Sequence, residues 1–225
     1  ETAERHLGER ARRPWLPALP DRIPLDPTRR REGLLLAVAD EPDRQRQGEV
    51  VWADPTLAVI GGPGSGRTGV LRTIAAQTPA RVVPGDPEAA WDALTALAQT
   101  PGGTTVLVDD LDATLSALPG EYGAVAAEAL ESALRGARTR GIRFVLATQR
   151  VGGGVGRILD LVPRRLILGT ASRADHVAAG GEAADFVPDL PPGRGRLGRT
   201  LVQVVDAGDS ALLAPVEDPP AWQPG

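Results

Sequence analysis

Cysteine is absent from all 225 residues, so neither a disulfide nor a thiolate metal site can form. Histidine occurs only as His6 and His176, at no spacing that would hold zinc. Lysine is absent as well, and all 25 basic residues are arginine. An arginine standing where lysine is usual is therefore weak ground, by itself, for a functional exchange. No apolar run approaches the roughly 18 to 20 residues of a membrane span, and no signal peptide opens the chain. Direct membrane contact is not expected of this segment. The net charge of −4 supplies no general attraction to nucleic acid. The chain begins with Glu1 rather than Met, as expected of a segment of something longer.

What is present suits one sizeable α/β domain with extensions: 42% of residues are hydrophobic and 24% charged. Three regions are expected: a Pro/Arg-rich linker over 1–32, a domain over 33–215 and a tail over 216–225. In RRPWLPALPDRIPLDP (12–27) the prolines forbid a helix. Trp15, Leu16, Leu19, Ile23 and Leu25 then hang from an extended backbone. Such a segment either drapes over its own domain or straps into a groove of a neighbouring one.

From Gly33 onward, apolar runs of strand length alternate with helical patterns. Strands are predicted at 33–40, 48–54, 56–62, 80–86, 104–110, 142–149 and 164–170, and a closing hairpin at 193–207. Helices are predicted over 68–78, after the Asp86 cap with Pro87 at the first position, over 121–140 stopped by Gly141, and after the Ser172 cap. Strand–helix alternation of this kind implies a mostly parallel sheet sandwiched by helices. Ligands of such sheets bind at the carboxyl ends of the strands. Gly61, Asp109 and Gln149 all fall at such ends.

The stretch GGPGSGRTG fits G-x-x-x-x-G-K-[ST] at every position but one. Gly61, Gly62, Pro63, Gly64, Ser65, Gly66, Arg67, Thr68 and Gly69 form the candidate phosphate-binding loop. Its glycines turn backbone N–H groups toward phosphate oxygens, and the helix that follows adds its positive end. Thr68 is placed to ligate Mg²⁺. The strand VLVDD (106–110) supplies Asp109 as the second Mg²⁺ residue. Asp110 stands where ATPases usually carry the glutamate that aligns and deprotonates water, and it is one methylene shorter. Gln149, at the end of ATQ, can reach a terminal phosphate or its water. Arg67 stands where lysine is usual; guanidinium is wider and planar, so it pairs with phosphate from a displaced position. ATP and Mg²⁺ are the implied ligands, with weak binding and low or absent hydrolysis.

The segments GLLLAVADEPDRQRQGEVVW, GGPGSGRT, VLVDDLD, FVLATQR, ILGTASRADHVAAG and PPGRGRLGRTLVQV, in that order, resemble the FtsK/SpoIIIE branch of RecA-like motor ATPases. More narrowly, the chain resembles a C-terminal ATPase module of the type VII secretion motor, the EccC kind. The resemblance implies a RecA-like P-loop NTPase core with a C-terminal β-hairpin. It also implies a cytoplasmic module, the soluble part of a membrane-anchored bacterial protein. The implied partners are neighbouring ATPase modules of the same chain, the C-terminal signal peptide of a secretion substrate and other copies in a ring oligomer. Later modules of this kind often have eroded catalytic motifs, which Arg67 and Asp110 both fit.

Three functions compete. The favoured one is a degenerate ATP-binding module that recognises export signals and regulates the motor. The second is a DNA-translocating ATPase, for which Arg194, Arg196 and Arg199 on the hairpin could face DNA; acidic charge and a compromised site argue against it. The third is a peptide-interaction module without nucleotide. Arg150, Arg173 and Arg194 are candidates for contacts across a ring, each weighed against a structural role.

Overall fold

The computed structural model describes residues 16–26, 28 and 32–208. Trp15 and the tail at 216–225 lie outside the described residues. A two-residue strand β1 (Ile23–Pro24) precedes the antiparallel pair β2 (Leu34–Glu41) and β3 (Arg46–Trp52). Then come β4 (Thr56–Ile60), α1 (Arg67–Ala75), β5 (Ala80–Val82), α2 (Pro87–Thr95) and β6 (Thr105–Val108). After these follow α3 (Leu111–Ala117), α4 (Tyr122–Arg140), β7 (Arg143–Thr148), α5 (Gly153–Asp160) and β8 (Arg165–Leu168). The described chain closes with α6 (Arg173–Ala178), β9 (Arg194–Leu197) and β10 (Thr200–Asp206).

The sheet runs β3-β2-β10-β9-β8-β4-β7-β6-β5. Its right half, β8-β4-β7-β6-β5, is parallel throughout; β9, β10, β2 and β3 extend it with antiparallel pairings. All residues of TLAVI in β4 and of TVLV in β6 are buried, as strands covered on both faces require. The predicted hairpin is β9 with β10, Thr200 opposite Leu197.

Helices cover both faces. Val70, Leu71 and Ile74 of α1 pack with Leu57, Val59 and Leu107 on one side. Leu94 of α2, Leu130 of α4 and Ile158 of α5 pack with Ala58, Val106 and Phe144 on the other. Asp86 caps α2 by accepting from the Ala89 N–H, Ser172 caps α6 by accepting from the Asp175 N–H, and Gly141 ends α4 at φ 64°. No helix of the described residues is long and apolar enough to cross a membrane.

Residues 16–26 drape over their own domain. β1 runs parallel to β10, Leu19 is buried, and Arg194 donates to the carbonyls of Leu19 and Pro20 at 2.7 and 2.9 Å. Two helices were not anticipated from sequence. α3 follows the acidic strand end directly, so its short run LDATLSA reads as loop. α5 opens on Gly153 and Gly154 with φ 53° at Gly153, and glycines there hide the helical period of Val155, Ile158 and Leu159.

Candidate nucleotide-binding site

The parallel order sets β7 between β4 and β6, with Ile60 opposite Thr148 and Val108 opposite Leu146. The carboxyl ends of all three strands therefore meet. This brings together the loop after β4, Asp109 and Asp110 after β6, and Gln149 after β7. Every candidate residue thus lies in one place.

The loop is braced from below. The Gly61 N–H donates to the Thr148 carbonyl at 3.2 Å, and the Gly62 N–H to that of Gly169 at 2.8 Å. The Gly193 N–H donates to the Ser65 carbonyl at 2.8 Å. Gly66 has φ 97°, and a Cβ there would sit 2.7 Å from the Gly193 nitrogen. Only glycine permits both the backbone turn and this approach. The ILGT and PPGRG stretches are therefore the shoulders on which the loop rests. Sequence reading located them without this role, since bracing depends on which segments adjoin in three dimensions.

Thr68 and Asp109, the two candidate metal residues, are in direct contact. The Thr68 hydroxyl donates to Asp109 Oδ2 at 2.7 Å, while Asp109 Oδ1 accepts from the Asp110 N–H at 3.1 Å. No cluster of three or more acidic or histidine side chains could hold a metal among the described residues. Mg²⁺ with a nucleotide does not need one, because one hydroxyl, one carboxylate, waters and phosphate oxygens complete its octahedron. The loop fits phosphate by a further sign: the Ser65 hydroxyl is buried within it and has no hydrogen-bond partner.

Arg67 departs from this picture. Its Nη1 donates to the Gly61 carbonyl at 2.7 Å, and its Nη2 pairs with Asp110 Oδ1 at 2.5 Å. The arginine side chain is 12% exposed and the aspartate 49%. Guanidinium thus ties the first glycine of the loop to the second carboxylate after β6. The two departures seen in sequence are partners in space. A lysine has one ammonium and cannot hold a carbonyl and a carboxylate with the same fork. Asp110 sits at φ 47°, a left-handed conformation that aspartate tolerates better than most residues. It stands at the N-cap position of α3, but its side chain makes no capping bond.

Gln149 is half-buried at the end of β7. Asp112, which sequence reading did not single out, holds that strand end: its Oδ1 accepts from the Thr148 hydroxyl at 2.9 Å and from the Gln149 N–H at 3.2 Å. The DDLD run carried the signal, since its third carboxylate lies one residue into α3.

The hairpin arginines are engaged inside the chain. Arg194 bonds Gln203 and the 16–26 segment, Arg196 pairs with Asp185 and donates to the Arg199 carbonyl, and Arg199 pairs with Glu182. Arg173 lies over the Phe186 ring at 5.7 Å.

No family model matches the sequence, and no curated protein does. Solved structures do. EssC (ATPases 2 and 3) from Geobacillus thermodenitrificans superposes with TM-score 0.64 at 14% identity, over 87% of this chain and 49% of that one. The conjugation coupling protein TcpA of pCW3, determined with ATPγS, superposes with TM-score 0.63 at 18% identity, over 85% of this chain and 72% of that one. Thermomonospora curvata EccC (ATPases 2 and 3), in complex with a signal sequence peptide, gives 0.59 at 18% identity, over 84% of this chain and 44% of that one. The fold is that of these ATPase domains, and the chain spans about half the length of the EssC structure.

Proposed function

We propose that this chain is a degenerate ATP-binding module of a type VII secretion motor. It binds Mg²⁺–ATP weakly and hydrolyses it slowly or not at all. The observation that carries the reading is the Arg67–Asp110 pair inside an otherwise intact phosphate loop. Bound Mg²⁺–ATP supplies a transferable phosphoryl group. Loop amides would hold the phosphates, and Thr68 and Asp109 the metal. Asp110 is engaged by guanidinium and one methylene shorter than the usual glutamate, so it is a poor acceptor for a water proton. Misplacement of about an ångström costs roughly 10²-fold in rate.

A module that keeps its cradle while its base is tied up suits recognition and regulation better than force generation. The proposal extends to neighbouring ATPase modules of the same chain, to the signal peptide of an export substrate, and to assembly in a ring on the cytoplasmic side of a membrane. Support comes from the two-ATPase architecture of the EssC structure and from the peptide bound to EccC. DNA translocation is the less favoured reading, because Arg194, Arg196 and Arg199 are already committed within the chain.

Calorimetric titration of Mg²⁺–ATP into the chain, beside Arg67→Lys, tests the proposal. Binding by either protein, with turnover far below that of a competent ATPase, supports it. Silence from both removes the nucleotide and leaves a peptide-recognition module on this fold.

A further inference from the structure

A cavity of about 270 Å³ lies at the amino end of β8, the end of the sheet opposite the phosphate loop. Its walls are the start of β8, the turn after α6 and the turn of the β9–β10 hairpin. We infer that this cavity is an anion site, whose ligand is a small phosphate-class dianion held by Arg164, Arg199 and His176. The inference stands apart from the nucleotide reading, since none of these residues belongs to the phosphate loop or to the carboxylates beside it.

The lining inverts the sign of the chain, whose net charge is −4. Arg164 and Arg165 come from the start of β8, Arg196 and Arg199 from the hairpin, and Glu182 and Asp185 from the turn after α6. Four guanidinium groups therefore meet two carboxylates. Two of the arginines are built into the wall. Arg165 donates to the carbonyls of Leu159 and Ala179, each at 3.2 Å. Arg196 donates to the carbonyls of Asp185 and Arg199 and pairs with the Asp185 carboxylate at 3.3 Å. The other two keep donors to spare. The half-exposed Arg164 side chain makes one ion pair, with Asp54 at 3.5 Å, and the exposed Arg199 uses Nη1 on Glu182. A guanidinium has five N–H donors, so both can turn others to a ligand.

His176 lies in the same wall. It is 5% exposed, and its Nε2 has no hydrogen-bond partner. A buried polar atom without a partner costs free energy that a ligand in the cavity would return. The ring rests on a bare turn. A Cβ on Gly181 would sit 2.2 Å from His176 Nε2, and one on Gly180 3.2 Å from Arg165 Nη1. The two glycines thus admit an imidazole and a guanidinium to one short turn. Burial and the Arg196 charge hold the imidazole below its ordinary pKa, against the pull of Asp185. The potential that disfavours a proton there favours an anion. A bound anion and a proton on His176 then strengthen each other by the same factor.

The ligand class follows from the donors and the volume. Guanidinium forks match the paired oxygens of phosphate, and charge-assisted bonds of this kind are the strong ones. The cavity is smaller than ordinary small-molecule sites, which suits a compact ion with its water and not a nucleotide.

The test reads histidine. His6 and His176 are the only two in the chain, so imidazole NMR signals report the cavity directly and His6 serves as the internal control. Inorganic phosphate is titrated beside chloride at equal ionic strength. The His176 signal is expected to move saturably with phosphate, its pKa to rise, and His6 to stay in place. Arg164→Ala and Arg199→Ala are each expected to weaken phosphate by about fivefold. Glu182→Gln removes the carboxylate that competes for Arg199 and is expected to tighten phosphate by about the same factor, a gain that a damaged fold would not give. O-phosphoserine, titrated in the same way, separates the sources. Tighter binding than phosphate assigns a monoester carried on a protein, and weaker binding assigns the free ion. The inference is overturned if His176 responds to phosphate no more than to chloride, if His6 moves in parallel, or if the three substitutions leave the affinity unchanged. Such a failure leaves the nucleotide reading standing, because phosphate at the loop lies at the other end of the sheet.

Discussion

Neutralising Asp110 as asparagine should strengthen nucleotide binding. Phosphate oxygens must compete with Asp110 for the Arg67 guanidinium, because Nη2 is already committed at 2.5 Å. The size of that competition can be bracketed. An exposed ion pair is worth about 0 to 1 kcal/mol, and a hydrogen bond to a charged group about 1.5 to 3. The arginine end is 12% exposed and the aspartate end 49%, which places the pair between those cases. A release of about 1 to 1.5 kcal/mol corresponds to about a tenfold gain in affinity. Asparagine is the right replacement because it keeps the shape and tolerates the left-handed φ of 47°. Removing a carboxylate also removes plain repulsion of phosphate, so the substitution must be repeated with Arg67→Ala. A double-mutant cycle on Mg²⁺–ATP affinity, read by calorimetry, isolates the pairwise part. The reasoning is refuted if Asp110→Asn gains as much affinity without Arg67 as with it.

Three further outcomes follow from other parts of the molecule. Burial holds the His176 imidazole below its ordinary pKa of 6.5; Arg196 adds to the shift and Asp185 opposes it. The folded state therefore disfavours the protonated form. Stability from this residue is intact above pH 6.5 and declines as pH falls toward the lower folded value, by at most about 1.4 kcal/mol per unit. Urea midpoints between pH 5 and 7.5 should fall more steeply for the wild type than for His176→Gln, and equal slopes would contradict this. Gly195→Ala should cost about 1 to 3 kcal/mol, because its Cβ would lie 2.8 Å from the Leu168 Cα and so push β9 off β8; an unchanged urea midpoint would refute it. Asp112→Ala should cost about 1 kcal/mol, because the Gln149 N–H loses its carboxylate acceptor while the Thr148 hydroxyl keeps the Arg150 carbonyl at 3.0 Å, a loss visible in thermal unfolding.

Much of the fold is legible where a local rule acts alone. TLAVI and VLV read as buried strands because both faces are covered, and Asp86, Gly141 and Ser172 mark helix ends because each serves its own backbone. The candidate residues converge because a parallel sheet fixes where the ends of β4, β6 and β7 must meet. What stays hidden is set by contact between distant segments. Nothing local in PPGRG says that Gly193 will press against Gly66, and nothing in WLPALP says that Leu19 will be buried with its carbonyl held by Arg194 of β9. α5 is obscured by its own glycines, since its apolar residues begin only at Val155.

Arg67 shows the difference most clearly. In a chain with no lysine, an arginine in a phosphate loop is unremarkable as composition, and Asp110 is a one-carbon departure that could arise alone. The structure joins them, so each has a consequence the other lacks. On the proposed reading, the arginine gains an acceptor that draws it from the phosphate, and the aspartate gains a cation that draws it from water. Restoring lysine alone would leave a carboxylate one methylene short of the usual glutamate. Restoring glutamate alone would leave guanidinium to hold it. Recovery of turnover should therefore require Arg67→Lys and Asp110→Glu together, with each single substitution recovering little. A single substitution that restored hydrolysis by itself would show that the pair is two separate changes and not one device.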